Sequence, residues 1–477
     1  MKTVFQKSIP GRSACLPPNP GKNAAHMLPT ALLRKAPPAL PELSELDVVR
    51  HFTHLSKLNF SVDGNFYPLG SCTMKYNAKF LEYVAALPSF TKLHPLLGQL
   101  PGAEQSSQGA LEVMYELERL ICEITGMAAC TLQPMAGANG EFTGVMLIAA
   151  YHQDKGNKKT KILCPDAAHG TNPASAALAG YEVISLASRD GMVDPQILEE
   201  ALSDDVAALM MTCPNTLGLY EKHIPIIVDK LRRVDALLYY DGANLNAILG
   251  KLRVGDAGFD VIHLNLHKTL GTPHGGGGPG SGPVGVSERL VPYLPDGRVE
   301  KRADGNFLLH YGHPKSIGCM APFYGHFGVF LRAYAYVLRL GGKGLTRVAE
   351  YAVLNANYLR KMTEDFLDLP YPRICMHEFV ASAPQGTRAL DISKGLLDHS
   401  IHAPTVYFPL IVPECLMIEP TETESKETLD NFVTVLRDLV TRSRTEPDFL
   451  PSAPVGMPVR RLDETGAARN MVLTEDM

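Results

Sequence analysis

Two residues of opposite charge stand at the ends of two strand-like runs. Lys268 follows the apolar run of residues 259–266 and precedes a glycine-dense stretch that begins at Gly275, and Asp241 ends the apolar run of residues 236–240. A lysine amine forms a Schiff base with an aldehyde, and a carboxylate keeps a pyridine nitrogen protonated. Both groups at the ends of buried strands therefore favour a site for pyridoxal phosphate, with Lys268 and Asp241 as its central residues.

A phosphate group would need a binding place close to this pair. Residues 136–141 read Ala-Gly-Ala-Asn-Gly-Glu and lie before a helix that we expect to begin near Gly140. Free backbone N–H groups at a helix N-terminus bind anions, and small residues allow close approach. We predict that Gly137, Ala138 and Asn139 hold the phosphate, although a plain strand-to-helix turn has the same pattern.

A histidine motif, His-Gly-Thr-Asn-Pro, follows the strand-like run of residues 161–165. His169 could stack on a planar ring or transfer a proton. The alternative is a turn histidine without a chemical role. Asn172 before Pro173 is predicted to be the N-cap of the next helix, with proline at the first helical position.

Three other patterns predict no chemistry. His263, His267 and His274 lack the glutamate of a His-Glu-x-x-His site and any further ligand nearby, so no metal site is expected. The glycine run lacks the Gly-Lys-Ser/Thr ending of a Walker loop. Cys72 and Cys213 have no activating histidine beside them and are predicted to be structural.

Strand-like and helical runs alternate along the middle of the chain. The strand-like runs are residues 128–132, 161–165, 182–186, 206–212, 236–240 and 259–266, and the helical runs are residues 104–125, 140–152, 172–179, 195–202, 224–234 and 325–349. This alternation predicts an α/β fold with a mainly parallel sheet covered on both faces, in which ligands bind at the carboxyl ends of the strands.

Three regions are expected along the chain. Residues 1–90 form a proline-rich N-terminal arm with a helical and loop segment, residues 91–335 form the large domain, and residues 336–477 form a smaller C-terminal α/β domain. A proline-rich segment cannot build a core alone, so the arm is predicted to lie on another surface.

The composition excludes several classes of protein. Of the 477 residues 45% are hydrophobic and 20% charged, and the formal net charge of −5 is too small to indicate a nucleic acid partner. The longest apolar run, residues 145–150, is too short to span a membrane. The nine cysteines form no Cys-x-x-Cys pair. Reduced cysteines and a cytoplasmic location are therefore expected.

Several long motifs resemble one family. They are Tyr-Pro-Leu-Gly-Ser-Cys-Thr-Met-Lys-Tyr-Asn at residues 67–77, His-Gly-Thr-Asn-Pro-Ala-Ser at 169–175, Pro-Asn-Thr-Leu-Gly at 214–218, Asp-Gly-Ala-Asn-Leu-Asn at 241–246 and His-Leu-Asn-Leu-His-Lys at 263–268. The chain resembles the P-proteins of the glycine cleavage system, the decarboxylating glycine dehydrogenases. It is similar, more narrowly, to subunit 2 of their two-subunit form, over nearly its whole length.

The resemblance implies a fold-type I pyridoxal phosphate enzyme. Such an enzyme decarboxylates glycine and transfers the aminomethyl group to the lipoyl arm of the H-protein. It also implies a partner, glycine dehydrogenase subunit 1, in an alpha2-beta2 heterotetramer.

The resemblance also assigns residue roles. Lys268 would bind the cofactor, Asp241 would contact the pyridinium, His169 would stack on the ring, and residues 137–140 would hold the phosphate. Weaker candidates for cofactor or substrate contacts are Thr216, Asn244 and His377, and Ser71 and Thr73 are candidates for the glycine carboxylate.

Three positions depart from the family pattern. Asn139 stands where the family usually has histidine, Leu270 and Gly271 stand where it has Phe-Ser, and Cys319 stands where it often has arginine. Loss of an arginine removes a fixed, bidentate cation. None of these positions is Lys268 or Asp241, so cofactor binding should be retained. The alternatives left open are another fold-type I enzyme, such as an aminotransferase or a lyase, and a non-catalytic scaffold subunit.

Overall fold

The computed structural model describes residues 2–14, 28–36, 38–94, 96–100, 102–276, 278 and 280–473. They form two compact units, Met1–Ser61 together with Val455–Met477, and Val62–Pro454. This division does not test the expected boundaries after residues 90 and 335, which stay a prediction. All residues predicted to do chemistry belong to the second unit.

The helices and strands of the described residues follow each other in regular order. The α-helices are α1 Glu45–Ser56, α2 Phe80–Ala85, α3 Pro88–Thr91, α4 Gln108–Thr125, α5 Gly137–Asp154, α6 Thr171–Leu178, α7 Pro195–Ala201, α8 Ile224–Arg233, α9 Phe327–Thr363, α10 Ala389–Asp398, α11 Lys426–Thr445, α12 Phe449–Ser452 and α13 Glu464–Arg469. The strands are β1 Ala129–Thr131, β2 Lys161–Pro165, β3 Glu182–Leu186, β4 Ser188–Arg189, β5 Met192–Val193, β6 Val206–Thr212, β7 Leu237–Gly242, β8 Val261–Leu264, β9 Val284–Val286, β10 Arg298–Lys301, β11 Phe307–His310, β12 Phe379–Ser382, β13 Thr405–Val406 and β14 Cys415–Ile418.

A seven-stranded sheet forms the centre of the second unit, in the order β1-β9-β8-β7-β6-β2-β3. The pairs from β8 through β7, β6 and β2 to β3 are all parallel, and only β9 runs antiparallel to its two neighbours. The predicted mainly parallel sheet is therefore confirmed. Ligands of such sheets bind outside the carboxyl ends of the strands, so this edge is where a site is expected.

Alternate residues of the central strands pack into different cores. On β6, Leu209 and Met211 belong to one apolar cluster and Ala208 and Met210 to another. On β7, Tyr239 and Tyr240 divide in the same way, and both are fully buried. Side chains alternate between the two faces of a strand, so the sheet is covered on both sides. Full burial of one such side chain stabilises the fold by about 1.5–3 kcal/mol.

A smaller antiparallel sheet, β12-β14-β13, has a core of its own. Phe432 and Leu436 of α11 and Ile392 of α10 pack in this core with Ile418 of β14. This second cluster agrees with an α/β region towards the C-terminus.

Glycines shape two of the long helices. Gly126 ends α4 with φ 75°, and its N–H donates to the carbonyl of Cys122 at 2.8 Å, which is a left-handed helix cap. Inside α9, Gly341 has non-helical angles, φ 58° and ψ 179°, so the helix is kinked there. The end of α4 at Thr125 agrees with the helical run predicted for residues 104–125.

The first unit contains α1. Ser44 caps this helix by accepting a hydrogen bond from the Asp47 N–H at 3.2 Å. The Lys7 amine lies 2.9 Å from Nδ1 of His51 and joins the start of the chain to the helix. Among the helices of the described residues, none is both long and apolar enough to cross a bilayer.

Candidate active site

Three polar residues form one row across the sheet. Thr212 on β6 is in register with Asp241 on β7, and Asp241 is in register with His263 on β8. All three lie at or next to the carboxyl ends of their parallel strands. The row therefore stands where ligands of parallel sheets bind.

Asp241 is buried and held by donors. Its carboxylate accepts hydrogen bonds from Thr212 Oγ1 and from the Ala243 N–H, each at 3.1 Å. Burial alone would raise the pKa of Asp241, but its interactions with His263 and His169 and the Ala243 N–H bring the pKa below its ordinary value. Asp241 is thus an ionised carboxylate in a buried position.

His263 faces this carboxylate as a neutral ring. Its Nδ1 is hydrogen-bonded to the Tyr239 hydroxyl at 2.6 Å. Its Nε2 lies 3.4 Å from Asp241 Oδ1 and makes no hydrogen bond among the described residues. Burial lowers the pKa of His263 to about 4, so the ring stays neutral at physiological pH.

Glu141 is a buried carboxyl that the sequence did not assign to the site. It accepts hydrogen bonds from Thr171 Oγ1 at 2.7 Å and Ser175 Oγ at 3.3 Å. Burial, with repulsion from Asp241, raises the pKa of Glu141 to about 7. The two carboxyls therefore differ in protonation state: Asp241 is ionised, and Glu141 holds a proton up to near neutral pH.

Asn172 lies inside the site and is not a helix cap. Helix α6 begins at Thr171, with Gly170 at the N-cap position, so the N-cap prediction is wrong. With its amide nitrogen turned towards the carboxyls, Asn172 donates to Glu141 at 3.1 Å and to Asp241 at 3.2 Å. Its fully buried side chain thus adds one donor to each of two carboxyls that already accept other hydrogen bonds.

Lys268 lies in the turn that follows β8. Its charge acts on the pKa of groups on all sides, including Asp241, His169, Glu378 and Glu419. The amine is therefore close to the row on the sheet and also to carboxyls of the C-terminal region. This is the placement expected of a lysine that reacts with a bound aldehyde.

A buried lysine fixes the turn that carries Lys268. Lys75 donates to the carbonyl of Thr269 at 2.5 Å, to Glu422 at 2.7 Å and to the Tyr336 hydroxyl at 3.0 Å. Although burial disfavours its charge, Glu422 raises the pKa of Lys75 above its ordinary value. On the other side, Thr269 Oγ1 accepts from the Leu245 N–H at 2.8 Å. The turn is thus held from two directions.

The predicted phosphate turn is the first turn of α5. The helix begins at Gly137, three residues before the expected start, and its first internal bond runs from the Gly140 N–H to the Ala136 carbonyl. The N–H groups of Gly137, Ala138 and Asn139 therefore have no acceptor among the described residues, which is the arrangement that binds anions.

Close packing around this turn requires small residues. A Cβ on Gly137 would lie 2.6 Å from the side-chain oxygen of Asn265. Asn265 Oδ1 and Ser281 Oγ are buried and have no hydrogen-bond partner among the described residues. Asn139 uses its own side chain to accept from the Met135 N–H at 3.0 Å. The start of α5 thus has N–H donors without an acceptor, and Asn265 Oδ1 and Ser281 Oγ also lack a hydrogen-bond partner among the described residues.

His169 is anchored at the sheet edge. Its N–H donates to Thr212 Oγ1 at 3.0 Å, and its Nδ1 lies 2.7 Å from Thr171 Oγ1. The ring meets Phe408 edge-on, with 5.5 Å between centroids. Burial lowers the pKa of His169, so the ring is a neutral, flat surface.

The predicted substrate residues Ser71 and Thr73 bind two carboxyls. Both have left-handed backbone angles, φ 62° and 53°. The Ser71 N–H donates to Glu378 at 2.7 Å, and the Thr73 N–H and hydroxyl donate to Glu419 at 2.9 and 2.7 Å. Strained angles of this kind cost about 1–3 kcal/mol each and persist where the surroundings fix them.

The remaining predicted residues surround the same pocket. Asn244 donates to Glu419 at 2.9 Å and contacts Thr73. The Thr216 hydroxyl donates to the Ala167 carbonyl at 2.9 Å. His377 is buried, its Nε2 lies 3.7 Å from Glu378, and its Nδ1 has no partner among the described residues. Burial lowers the pKa of His377 to about 3.

Glycine permits this contact between the two regions of the unit. Gly218, with φ 75°, lies against the backbone of Glu378, where a Cβ would collide with the Glu378 carbonyl. Its own carbonyl accepts from the Met376 N–H at 2.8 Å. The motif at residues 214–218 therefore holds the segment of His377 and Glu378 in place.

The described residues fit pyridoxal phosphate. An ionised carboxylate, a lysine within its electrostatic reach and a helix start with three free N–H groups are the donor and acceptor set that this cofactor needs. The buried, unpaired Asn265 Oδ1 and Ser281 Oγ lie beside that helix start.

Comparisons with known proteins agree with this chemistry. Residues 100–305 match the family model of the glycine cleavage system P-protein, and residues 348–445 match that of the glycine dehydrogenase C-terminal domain. A probable glycine dehydrogenase (decarboxylating) subunit 2 of Listeria innocua is 52% identical, over 99% of this chain and 98% of the relative. The protein of the same description from Thermotoga petrophila is 52% identical, over 98% and 99%.

Solved structures share the fold. A crystal structure of inhibitor-bound glycine decarboxylase (P-protein) has a TM-score of 0.73 and 21% identity, covering 87% of this chain and 94% of that chain. A cysteine desulfurase from Thermococcus onnurineus has a TM-score of 0.61 and 16% identity, covering 80% and 95%. The chain therefore has the α/β fold of the fold-type I pyridoxal phosphate enzymes and belongs to the family of glycine dehydrogenase (decarboxylating) subunit 2, the P-proteins of the glycine cleavage system.

Proposed function

We propose that this chain decarboxylates glycine and transfers the remaining aminomethyl group to the lipoyl arm of the H-protein. The observation that carries the proposal is the site itself: Lys268 lies within electrostatic reach of the ionised Asp241 at the sheet edge, in a chain of the P-protein family. No observation favours an aminotransferase, a lyase or a non-catalytic scaffold.

Four elements would hold the cofactor. We assign Lys268 as its covalent anchor, Asp241 as the partner of its ring nitrogen, His169 as a flat surface against the ring, and the N–H groups of residues 137–139 as the phosphate site. When bound, pyridoxal phosphate supplies an aldehyde for amines and a ring that accepts an electron pair. Thr216 and Asn244 remain candidates for further cofactor contacts.

The substrate would bind between Lys268 and the loop of residues 71–73. Ser71, Thr73 and His377 stay our candidates for contacts with glycine. Because the Ser71 and Thr73 donors already serve Glu378 and Glu419, the glycine carboxylate would have to share them with two buried carboxyls. The His377 Nδ1 atom, which has no partner among the described residues, is the better placed polar group for such a contact.

We also infer two protein partners. The relatives carry the description subunit 2, so glycine dehydrogenase subunit 1 is the expected partner, in an alpha2-beta2 heterotetramer. A lipoylated H-protein is the expected acceptor. The cytoplasm is the expected compartment.

The exchange of labelled bicarbonate with the carboxyl group of glycine tests this function. The assembled subunits with H-protein should catalyse the exchange, and omission of glycine or of H-protein should abolish it. An assembly that binds the cofactor but converts glycine to glyoxylate instead would identify an aminotransferase. Neither reaction, with cofactor bound, would support the scaffold alternative.

A further inference from the structure

The proposed reaction consumes one proton, and the inference below rests on that proposed function. Zwitterionic glycine loses CO2, and the electron pair of the broken C–C bond forms a new C–S bond with one sulfur of the lipoyl disulfide. The S–S pair leaves on the second sulfur as a thiolate. The products are CO2, an aminomethyl thioether with an ammonium group, and this thiolate, which needs one proton to become a thiol.

Most titratable groups around Lys268 cannot supply this proton. Burial lowers the pKa of five histidines, which are therefore neutral bases, namely His169, His263, His267, His274 and His377. Asp241 is ionised, and burial raises the pKa of Cys72, which makes this thiol a weaker acid. Glu141 is buried and accepts hydrogen bonds from Thr171 and Ser175 of α6.

Glu378 and Glu419 are the remaining acids. They are 3% and 1% exposed, and their carboxyl oxygens lie within 4.8 Å of each other and of the His377 ring. Repulsion between two carboxylates this close in a buried site favours the state in which the pair holds one proton. Lys268 is near enough for its charge to act on both.

Hydrogen bonds locate the proton within the pair. Glu419 accepts three bonds from Thr73 and Asn244, at 2.7 to 2.9 Å. Glu378 accepts one, from the Ser71 N–H. Donors stabilise the ionised form, so Glu419 is the carboxylate and Glu378 the acid. Burial and the charge of Glu419 raise the pKa of Glu378 to about 8.

The other groups that face Glu378 do not compete for this role. Cys375 and Cys415 are buried thiols whose pKa burial raises to about 12, with a contribution from the charge of Glu378. His377 is neutral. Lys268 is a cation whose charge lowers the pKa of Glu378.

We propose that Glu378, which shares one proton with Glu419, is the acid that protonates the departing sulfur of the lipoyl arm. The loop of residues 71–73 has two residues with left-handed backbone angles. Its N–H groups donate to Glu378 and Glu419 separately, one to each carboxyl. Glu419 is then a positioning residue, and Glu378 is a catalytic residue.

Glu378→Gln tests the proposal in the holoenzyme assembled with subunit 1. The amide can still accept from Ser71 and can donate to Glu419, so folding and cofactor binding should be retained, but it has no proton to give. Loss of a general acid lowers kcat by about 10²–10⁴-fold. We expect this loss in kcat and little change in the KM for glycine. The wild-type rate should fall above about pH 8, where Glu378 loses its proton, and the variant should lack this fall.

Infrared spectroscopy gives a readout that does not depend on turnover. The spectrum of wild type minus Glu378→Gln should contain the C=O band of a protonated carboxyl, which disappears as the pH rises through about 8. Glu424→Gln is the matched control. Burial raises the pKa of Glu424 to about 7, and the charge of Lys268 does not contribute to this shift. This variant should remove a similar band and leave kcat unchanged.

Two results would overturn the proposal: wild-type turnover with an unchanged pH profile in Glu378→Gln, or the absence of a protonated-carboxyl band assigned to Glu378. Should the amide variant fail to assemble, Glu378→Asp answers the same question, because it keeps an acid. The pH at which its infrared C=O band disappears and the pH at which its kcat falls should then change by the same amount. If the wild-type assembly itself lacks glycine-dependent exchange, the proposed function fails, while the infrared band still tests the shared proton.

Discussion

Asp241 keeps its charge in a buried position because its neighbours favour the ionised form. Thr212 and the Ala243 N–H donate to it, and His263 and His169 lower its pKa against the effect of burial. An ionised group at ~4 Å from a cation contributes about 4 kcal/mol at an effective dielectric near 20. In the proposed reaction, Asp241 would contribute through this interaction, which stabilises a protonated nitrogen of the cofactor ring.

Asp241→Asn should therefore reduce turnover by about 10³-fold, which corresponds to about 4 kcal/mol. The variant should still bind the cofactor through Lys268, as measured by visible absorbance and by mass spectrometry. Asp205→Asn, at a half-buried aspartate outside the site whose pKa is also lowered, is the control and should have wild-type activity. Activity of Asp241→Asn within tenfold of wild type would refute the role of this carboxylate.

Glu141 makes the fold less stable as the pH rises. Its pKa is about 7 in the folded chain against 4.5 as the ordinary value, so the folded state binds the proton more tightly between these values. The free energy of unfolding then decreases as the pH rises above about 4.5. The full decrease, about 3 kcal/mol, is reached above pH 7. At pH below 4.5 both states are protonated and the contribution disappears.

Glu141→Gln should remove this pH dependence. The measurement is the free energy of unfolding of the apo chain at about pH 6 and about pH 8. We expect the wild type to lose more stability than the variant between the two values, and the variant to be the more stable chain at the higher pH. Equal losses in both proteins would show that Glu141 is ionised throughout.

Helix α5 shows how an element makes a site. Its first turn has free N–H groups, and Gly137 allows Asn265 to pack against that turn. Gly137→Ala puts a Cβ at 2.6 Å from the Asn265 oxygen, so the turn or Asn265 must move. We expect cofactor affinity to fall by about tenfold or more, as one charge-assisted hydrogen bond is worth about 1.5–3 kcal/mol.

Gly109→Ala is the matched control for this change. Gly109 also lies at the start of a long helix, α4, and a Cβ there meets nothing within 4 Å. Alanine in place of glycine stabilises a helix by about 0.5–1 kcal/mol. Cofactor titration should separate the two variants, and equal affinities would contradict the phosphate assignment.

The departure at Gly271 has a structural reason. Gly271 has φ 66°, and a Cβ there would lie 2.9 Å from the Tyr336 ring, the ring whose hydroxyl contacts Lys75. Gly271→Ser, which restores the usual residue of the family, should destabilise this chain by about 1–3 kcal/mol. Gly342→Ser, where a Cβ meets nothing within 4 Å, should not. Thermal unfolding of the two variants is the measurement.

The parallel strands of the central sheet were predicted well because periodicity and composition determine them locally, whereas the antiparallel strand β9 was not predicted. The runs at 161–165, 182–186 and 206–212 coincide with β2, β3 and β6. The start of α5 was missed because the glycines of its first turn have low helix propensity, and anion-binding geometry rather than propensity explains them.

The three buried glutamates of the site could not be predicted from the sequence. Glu141, Glu378 and Glu419 are functional candidates only because tertiary contacts bury them beside other charges. Glutamate is usually exposed, so the sequence gives no sign of burial. A weak signal exists for two of them. The segments Cys-Met-His-Glu-Phe at 375–379 and Glu-Pro-Thr-Glu-Thr-Glu-Ser at 419–425 also resemble the P-proteins, although the resemblance gives their glutamates no role.

At the scale of the whole molecule, the two apolar clusters around the central and the smaller sheet agree with a division into large and small domains. We retain the boundaries of 91–335 and 336–477 as a proposal. The first unit has a different character, because α1 exposes Leu46, Val49 and Phe52, each more than half exposed, on one helical face.

This face and the N-terminal arm are our candidates for the contact with subunit 1. Replacing Leu46, Val49 and Phe52 together by serine should weaken assembly by about 10²-fold or more, since burial of each such side chain is worth about 1.5–3 kcal/mol. Cofactor absorbance should be unchanged. Leu354→Ser, at a leucine of α9 that is 59% exposed, is the control. Unchanged assembly of the triple variant, measured by ultracentrifugation, would exclude this face.

The covalent attachment of the cofactor tests the central claim most directly. Borohydride reduction of the cofactor-loaded chain, followed by protease digestion and mass spectrometry, identifies the lysine that carries the pyridoxyl phosphate group. We expect the group on Lys268 and its loss in Lys268→Ala. Modification of another lysine, or of none in a chain that is loaded with cofactor, would contradict it.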